Sequence, residues 1–186
     1  MDLETLEQEA SICSRCSLYE GRKLPVFSKG NSTSKVMICG MAPATEENKV
    51  GIPFVGRAGK LLDELLKDAG WTLDDVYITN LVKCFLPAGL PLKSEWIDNC
   101  LFYIIAQITE INPTVILILG KDSSITLLGL NSKITMAKIK GKVFDYNNSI
   151  KVIPTYHPSY LLRGGGTKHK SYEEVLGHFK MVENYF

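Results

Sequence analysis

The run Thr114-Val-Ile-Leu-Ile-Leu119, closed by Gly120, constrains this chain more than any other segment. A short, unbroken apolar run rich in β-branched residues reads as a strand covered on both faces. Lys35-Val-Met-Ile-Cys-Gly40 reads the same way, and Val76 to Thr79 is a further strand with Asn80 just past its end. Helical patterns lie between them. Ala58, Leu61, Leu62, Leu65 and Leu66 recur at helical spacing through residues 57–69, with Gly70 as the stop. Ser94 reads as an N-cap for a helix from Glu95 to Ile111 that Pro113 ends. Helices are also expected over 2–12, 121–128 and 171–185, with a hairpin over 140–155 turning at Asn147-Asn148 and a turn at Tyr156 to Ser159. Residues 13–34 read as polar and irregular. Strands alternating with helices predict an α/β domain over 1–186 with a mainly parallel central sheet and helices on both faces. Ligands of such sheets bind beyond the carboxyl ends of the strands. The loops that leave those ends are 41–56, 80–92 and 157–163.

Composition narrows the class. With 45% hydrophobic and 22% charged residues, the chain is neither a disordered tail, a collagen-like rod nor a coiled coil. Its apolar runs fall far short of the ~20 residues that cross a bilayer. The acidic start Met-Asp-Leu-Glu lacks the basic and apolar regions of a secretion signal, so a cytoplasmic protein without a membrane partner is expected. A net charge of +1 hides an asymmetry: residues 133–170 carry eight Lys/Arg against the single Asp145. That stretch is either a polyanion footprint or a solvated lysine-rich surface.

Five cysteines in a chain without a secretion signal argue against disulfides. Four fall into two groups, Cys13-x2-Cys16 and Cys84-x15-Cys100, able to enclose either a zinc ion or a cubane iron–sulfur cluster. Cys39 lies inside an apolar strand and reads as structural.

The ordered set Cys13-x2-Cys16, Gly40-Met-Ala-Pro43, Glu46-Glu47, Gly51-Ile-Pro-Phe-Val-Gly56, Tyr77-Ile-Thr-Asn80, Lys83-Cys84, Cys100 and His157-Pro-Ser-Tyr-Leu161 resembles the iron–sulfur (family 4) uracil-DNA glycosylases. The match runs in order over nearly the whole chain. The resemblance implies a three-layer α/β/α fold with a central, mainly parallel four-stranded sheet. It implies a 4Fe-4S cluster on Cys13, Cys16, Cys84 and Cys100. It further implies a monomeric, monofunctional glycosylase that hydrolyses the N-glycosidic bond of a flipped-out uracil in single- or double-stranded DNA, starting base-excision repair.

Elementary chemistry assigns roles to the loop residues. An extrahelical base is needed, because the glycosidic bond is inaccessible in the stack, and flipping costs a few kcal/mol. Stacking on an aromatic ring returns roughly 1–3 kcal/mol per base; Phe54 is the expected platform. The amide of Asn80 offers a donor and an acceptor to N3–H and O4 of uracil and rejects cytosine, whose pattern is reversed. His157 is the expected donor to O2, where the leaving anion gathers charge. Glu47 is the expected carboxylate beside the cationic sugar, orienting the attacking water. His169 and His178 read as surface or core residues. Backbone N–H groups of Met41 and Ala42 are expected against the base. Ser159, Leu161 and Arg163 are expected against DNA, with Leu161 as a wedge into the opened stack. Covalent capture is not expected, since Thr155-Tyr156-His157 carries no basic insert.

One departure matters. The family pattern has a glutamate after the first glycine, where this chain has Met41. Two other readings follow: a catalytically weak or inactive glycosylase-like protein that binds DNA or a partner, and a zinc-stabilised nucleic-acid module.

Overall fold

A computed structural model describes residues 1–147 and 149–185. Its helices are α1 (Leu3–Ile12), α2 (Leu18–Gly21), α3 (Thr45–Val50), α4 (Arg57–Ala69), α5 (Ser94–Ile111), α6 (Lys121–Leu128), α7 (Met136–Ile139), α8 (Pro158–Leu162) and α9 (Tyr172–Met181). Its strands are β1 (Ser28–Gly30), β2 (Val36–Gly40), β3 (Tyr77–Asn80), β4 (Val115–Leu119), β5 (Phe144–Tyr146) and β6 (Ile150–Thr155).

The strands form one mixed sheet in the order β1-β3-β2-β4-β6-β5. The inner four, β3-β2-β4-β6, run parallel, and the two outer strands are antiparallel to their neighbours. The sheet is therefore six-stranded, not four-stranded. β1 escaped the sequence reading because Ser-Lys-Gly has no apolar residue; its pairing with β3, Ser28 against Thr79, makes it a strand. Asn148, half of the expected Asn147-Asn148 turn, lies outside the described residues.

Period-two alternation sorts the side chains of each buried strand into two cores. Val36, Ile38, Val115, Leu117 and Ile153 pack under α4, α8 and α9 with Leu62, Leu65, Leu161 and Phe179. Met37, Cys39, Ile116, Ile118 and Val152 pack on the opposite face with Ile104, Ile108 and Ile111 of α5 and Leu127 of α6. The three layers follow directly from continuous apolar strands that need cover on both sides. α4 stops where Gly70 turns left-handed, at φ 84°, and Trp71 N–H closes on the Leu66 carbonyl at 2.8 Å.

Because the inner strands are parallel, Gly40, Asn80, Leu119 and Thr155 end at one edge of the sheet. The chain leaves β2 toward β3 on one side and later places β4 on the other. A topological switch point, where such sheets form a crevice, therefore lies between β2 and β4. Among the described residues no helix is long and apolar enough to cross a membrane.

Candidate active site and a four-cysteine cavity

Asn80 ends β3 directly beside Gly40, the last residue of β2. A Cβ on Gly40 would stand 2.4 Å from Asn80 Oδ1 and 2.6 Å from Phe54 Cζ. The missing side chain is what lets amide and ring share one end of the sheet. Gly40→Ala is therefore expected to keep the fold but weaken binding of uracil-containing DNA at least tenfold, measured by fluorescence anisotropy. Unchanged affinity would contradict this reading of Gly40.

Phe54 sits at φ 53°, a left-handed conformation that side chains rarely adopt. Three restraints hold it there. Lys29 Nζ donates to the Phe54 carbonyl at 2.9 Å. Glu47 Oε1 accepts from Val55 N at 3.0 Å and Gly56 N at 2.9 Å. Gly59 of α4 lies so close that a Cβ there would fall 1.9 Å from the Phe54 carbonyl oxygen. Strain at a residue restrained from several sides is a mark of a working position.

His157 caps α8, with Pro158 at the first helical position. Its Nδ1 accepts from Ser159 N at 3.1 Å and lies 2.8 Å from Ser159 Oγ. With Nδ1 an acceptor, the proton of the neutral ring belongs on Nε2. Burial pushes the imidazole down to about 4, with the Arg163 charge adding to the effect and Glu47 opposing it. The ring is thus a neutral donor at physiological pH. It stands 5.9 Å from the Phe54 ring, centroid to centroid, at 30°.

Phe54, Asn80, His157 and Glu47 line one cleft of about 280 Å³, closed by Ala42, Pro43, Ala44 and Ala58. Asn80 is only 3% exposed, yet its side-chain amide takes no hydrogen bond from the described residues. Since no fully buried side-chain polar atom among the described residues lacks a partner, the amide reaches the cleft surface, where it can bond solvent or a base. Glu47 is buried too, with Oε2 accepting from Ala44 N at 3.2 Å.

One residue is placed differently from expectation. Leu161 is fully buried beneath α4 and cannot wedge into DNA; α8 turns its apolar side inward because the sheet there needs cover. The Met41 side chain lines a separate cleft with Pro91, Leu92 and Ile97, packing on the α5 face rather than in the Asn80 cleft. Ser159 braces His157, and Arg163 is exposed beside the Tyr160 ring. Of the basic stretch, Lys140 pairs with Glu174 and Lys151 with Asp145, so the exposed cations there are fewer than the sequence count. His178 is buried, with Nδ1 2.8 Å from Thr155 Oγ1. Lys29, Pro43, Ala44 and Ala58 were missed; only the small-residue spacing Ala58-Gly59 after Phe54 signalled that a helix comes close.

His157 and His178 carry a pH consequence. Burial lowers both below the ordinary 6.5. The unfolded chain then binds more protons than the folded one between about 4 and 6.5. Stability is accordingly full above pH 6.5 and declines as the pH falls toward 4. The urea midpoint is expected to be lower at about pH 5 than at about pH 7; equal midpoints would contradict burial of neutral imidazoles.

A second, narrow cavity is lined by Cys13, Cys16, Cys84 and Cys100. α1 and the loop after it bring the first pair, the segment after β3 brings Cys84, and α5 brings Cys100. Arg22 Nη1 lies 3.4 Å from Cys84 Sγ, and Lys83 N–H donates to Cys100 Sγ at 3.3 Å. Burial pushes the Cys100 thiol up to about 11, so an anionic sulfur there calls for a metal centre to hold it. Cys39 is buried in the strand, away from this cavity.

The fold and the Asn80 cleft define a class, and comparison with known proteins agrees: the chain belongs to the uracil DNA glycosylase superfamily, whose family model matches residues 27–180. Within it the similarity runs to type-4 enzymes. The chain is 40% identical over 161 residues to the type-4 uracil-DNA glycosylase of Thermotoga maritima, spanning 87% of this chain and 83% of that one. It is 38% identical to the type-4 enzyme of Saccharolobus solfataricus, over 87% and 77% of the two chains. For that of Archaeoglobus fulgidus the identity is 34%, over 86% and 83%.

Proposed function

We propose that this protein is a monofunctional uracil-DNA glycosylase, the whole chain acting as one domain that starts base-excision repair. The free amide of Asn80, facing Phe54 and His157 across one small cleft, is the observation that carries this reading. An extruded uracil stacks on Phe54. Asn80 accepts from its N3–H and donates to its O4, and the His157 Nε2–H reaches O2. As the glycosidic bond breaks, charge grows on O2, and a neutral imidazole donor stabilises it more than it stabilises the bound base. Backbone N–H groups of Met41 and Ala42 border the base, while Ser159 and Arg163 meet the phosphate backbone.

Glu47 takes a double role. An ionised carboxylate offers about four lone-pair sites. Three are engaged by Val55, Gly56 and Ala44. The remaining one, on Oε2, orients the water that attacks the oxocarbenium-like sugar. Glu47→Gln is expected to lower single-turnover cleavage by roughly 10²-fold, the scale of a lost acid–base contribution. Full activity would remove Glu47 from the reaction.

The four-cysteine cavity holds a 4Fe-4S cluster in this reading. The four sulfur donors around one space and the N–H groups aimed at two of them support it. Among the described residues no three His, Cys, Asp or Glu side chains converge as ligands of one ion. A donor set of four thiols suits a cubane iron–sulfur cluster, which Cys13, Cys16, Cys84 and Cys100 would hold. When bound, the cluster supplies a covalent cross-link between segments; hydrolysis transfers no electrons.

The sequence ground for a non-catalytic binding protein was Met41, and that side chain lies outside the Asn80 cleft. The test is direct. A single-stranded oligonucleotide bearing one deoxyuridine, incubated with iron-loaded protein and then alkali, should be cut at that position. No scission above a His157→Ala control would overturn the proposal.

A further inference from the structure

The side chain of Lys83 reaches toward the end of β3 and takes no part in the chemistry described so far; only its backbone N–H has, at Cys100. Lys83 is 1% exposed, among the largest fully buried side chains. Its Nζ has three acceptors: the Asn80 carbonyl at 2.6 Å, Thr79 Oγ1 at 2.7 Å and Gln107 Oε1 at 2.5 Å. Three acceptors match the three donors of an ammonium. No carboxylate pairs with it among the described residues. Taking a charged amine out of water costs heavily unless its surroundings compensate. A chain seeking only stability would place an apolar side chain here.

What surrounds it explains the choice. Lys83 lines the four-cysteine cavity, and its own N–H donates to Cys100 Sγ. On its other side the ammonium grips the carbonyl of the very residue whose amide faces the cleft. Gln107 in turn donates to Tyr77 Oη at 2.8 Å, and Thr79 Oγ1 donates to the Phe27 carbonyl at 2.7 Å. The network is fully satisfied and therefore rigid. It spans β3 from Tyr77 to Asn80.

We propose that Lys83 is a positioning residue for base recognition: its ammonium fixes the end of β3 so that the Asn80 amide meets the base squarely, and it ties that strand end to the four-cysteine site. The inference rests on Asn80 being the uracil-reading amide. Thiolates ligating a metal centre would supply the negative charge that the surroundings of Nζ otherwise lack.

The test reads recognition rather than turnover. Oligonucleotides carrying one 2′-fluoro-deoxyuridine, which resists cleavage, or the matching cytosine nucleotide are titrated against iron-loaded protein. Lys83→Met, with the wild-type visible absorption and circular dichroism, is expected to lower the uracil-over-cytosine affinity ratio at least tenfold. Placed on Asn80→Ala, it should lower the ratio no further. An unchanged ratio in the folded variant overturns the inference, as does a full additional loss on Asn80→Ala. Should Lys83→Met lose iron or fold, Thr79→Val removes one acceptor at conserved shape. A drop of threefold or more supports the inference, and an unchanged ratio overturns it. Wild-type protein that does not distinguish the two oligonucleotides would instead sink the uracil reading itself.

Discussion

Replacing His157 by alanine is expected to lower single-turnover release of uracil by roughly 10²–10³-fold, the cost of removing one donor from a developing anion. Substrate affinity should change far less, because the contact strengthens mainly as the bond breaks. The tautomer is set by Ser159, whose N–H occupies Nδ1. The protonation state is set by burial, which holds the ring down to about 4. The wild-type rate should therefore show no limb from this imidazole between about pH 5 and pH 8. A rate that falls through the ordinary histidine range, and loses that limb in the alanine variant, would mean a charged ring is in play and would refute the neutral-donor account.

Cys84→Ala is the second large effect. Cys84 is buried in the same apolar cluster as Leu6, Ala10, Trp96 and Tyr103, which joins α1 to α5. A structural metal centre contributes on the order of 10 kcal/mol, comparable with the whole stability of about 5–15 kcal/mol of a typical domain. The variant is expected to lack visible iron–sulfur absorption and to lose its cooperative thermal transition, with α1 the first element released. Circular dichroism and an iron assay decide it. A soluble variant that melts cooperatively near the wild-type temperature without iron would show that the cluster is dispensable for folding.

How much of this was legible in the sequence depended on how local the cause was. β4 and α4 could be read directly, because an unbroken apolar run and a leucine repeat each carry their own signal. The strand ends were legible too, so the loops holding Phe54, Asn80 and His157 could be named together. What failed was decided by contacts that no apolar pattern announces. β1 is a strand only because β3 offers it an edge. The short helix α3 stands inside a segment that read as loop; its first turn is organised by the Glu47 carboxylate reaching back to Ala44. Leu161 follows the family motif in sequence, yet α8 packs it inward, and no local pattern reveals which side of so short a helix will face the sheet. Met41 looked like a defect in the reaction centre until its direction off the strand end was known.

The left-handed backbone at Phe54 has a consequence for engineering. A bulky side chain in that conformation carries a penalty of roughly 1–2 kcal/mol, which glycine would relieve. The ring itself is only 6% exposed and packs in the core, and deleting it costs about 3–5 kcal/mol, so glycine would lose more than it relieves, and laboratory selection for heat resistance should retain the aromatic side chain despite its backbone strain.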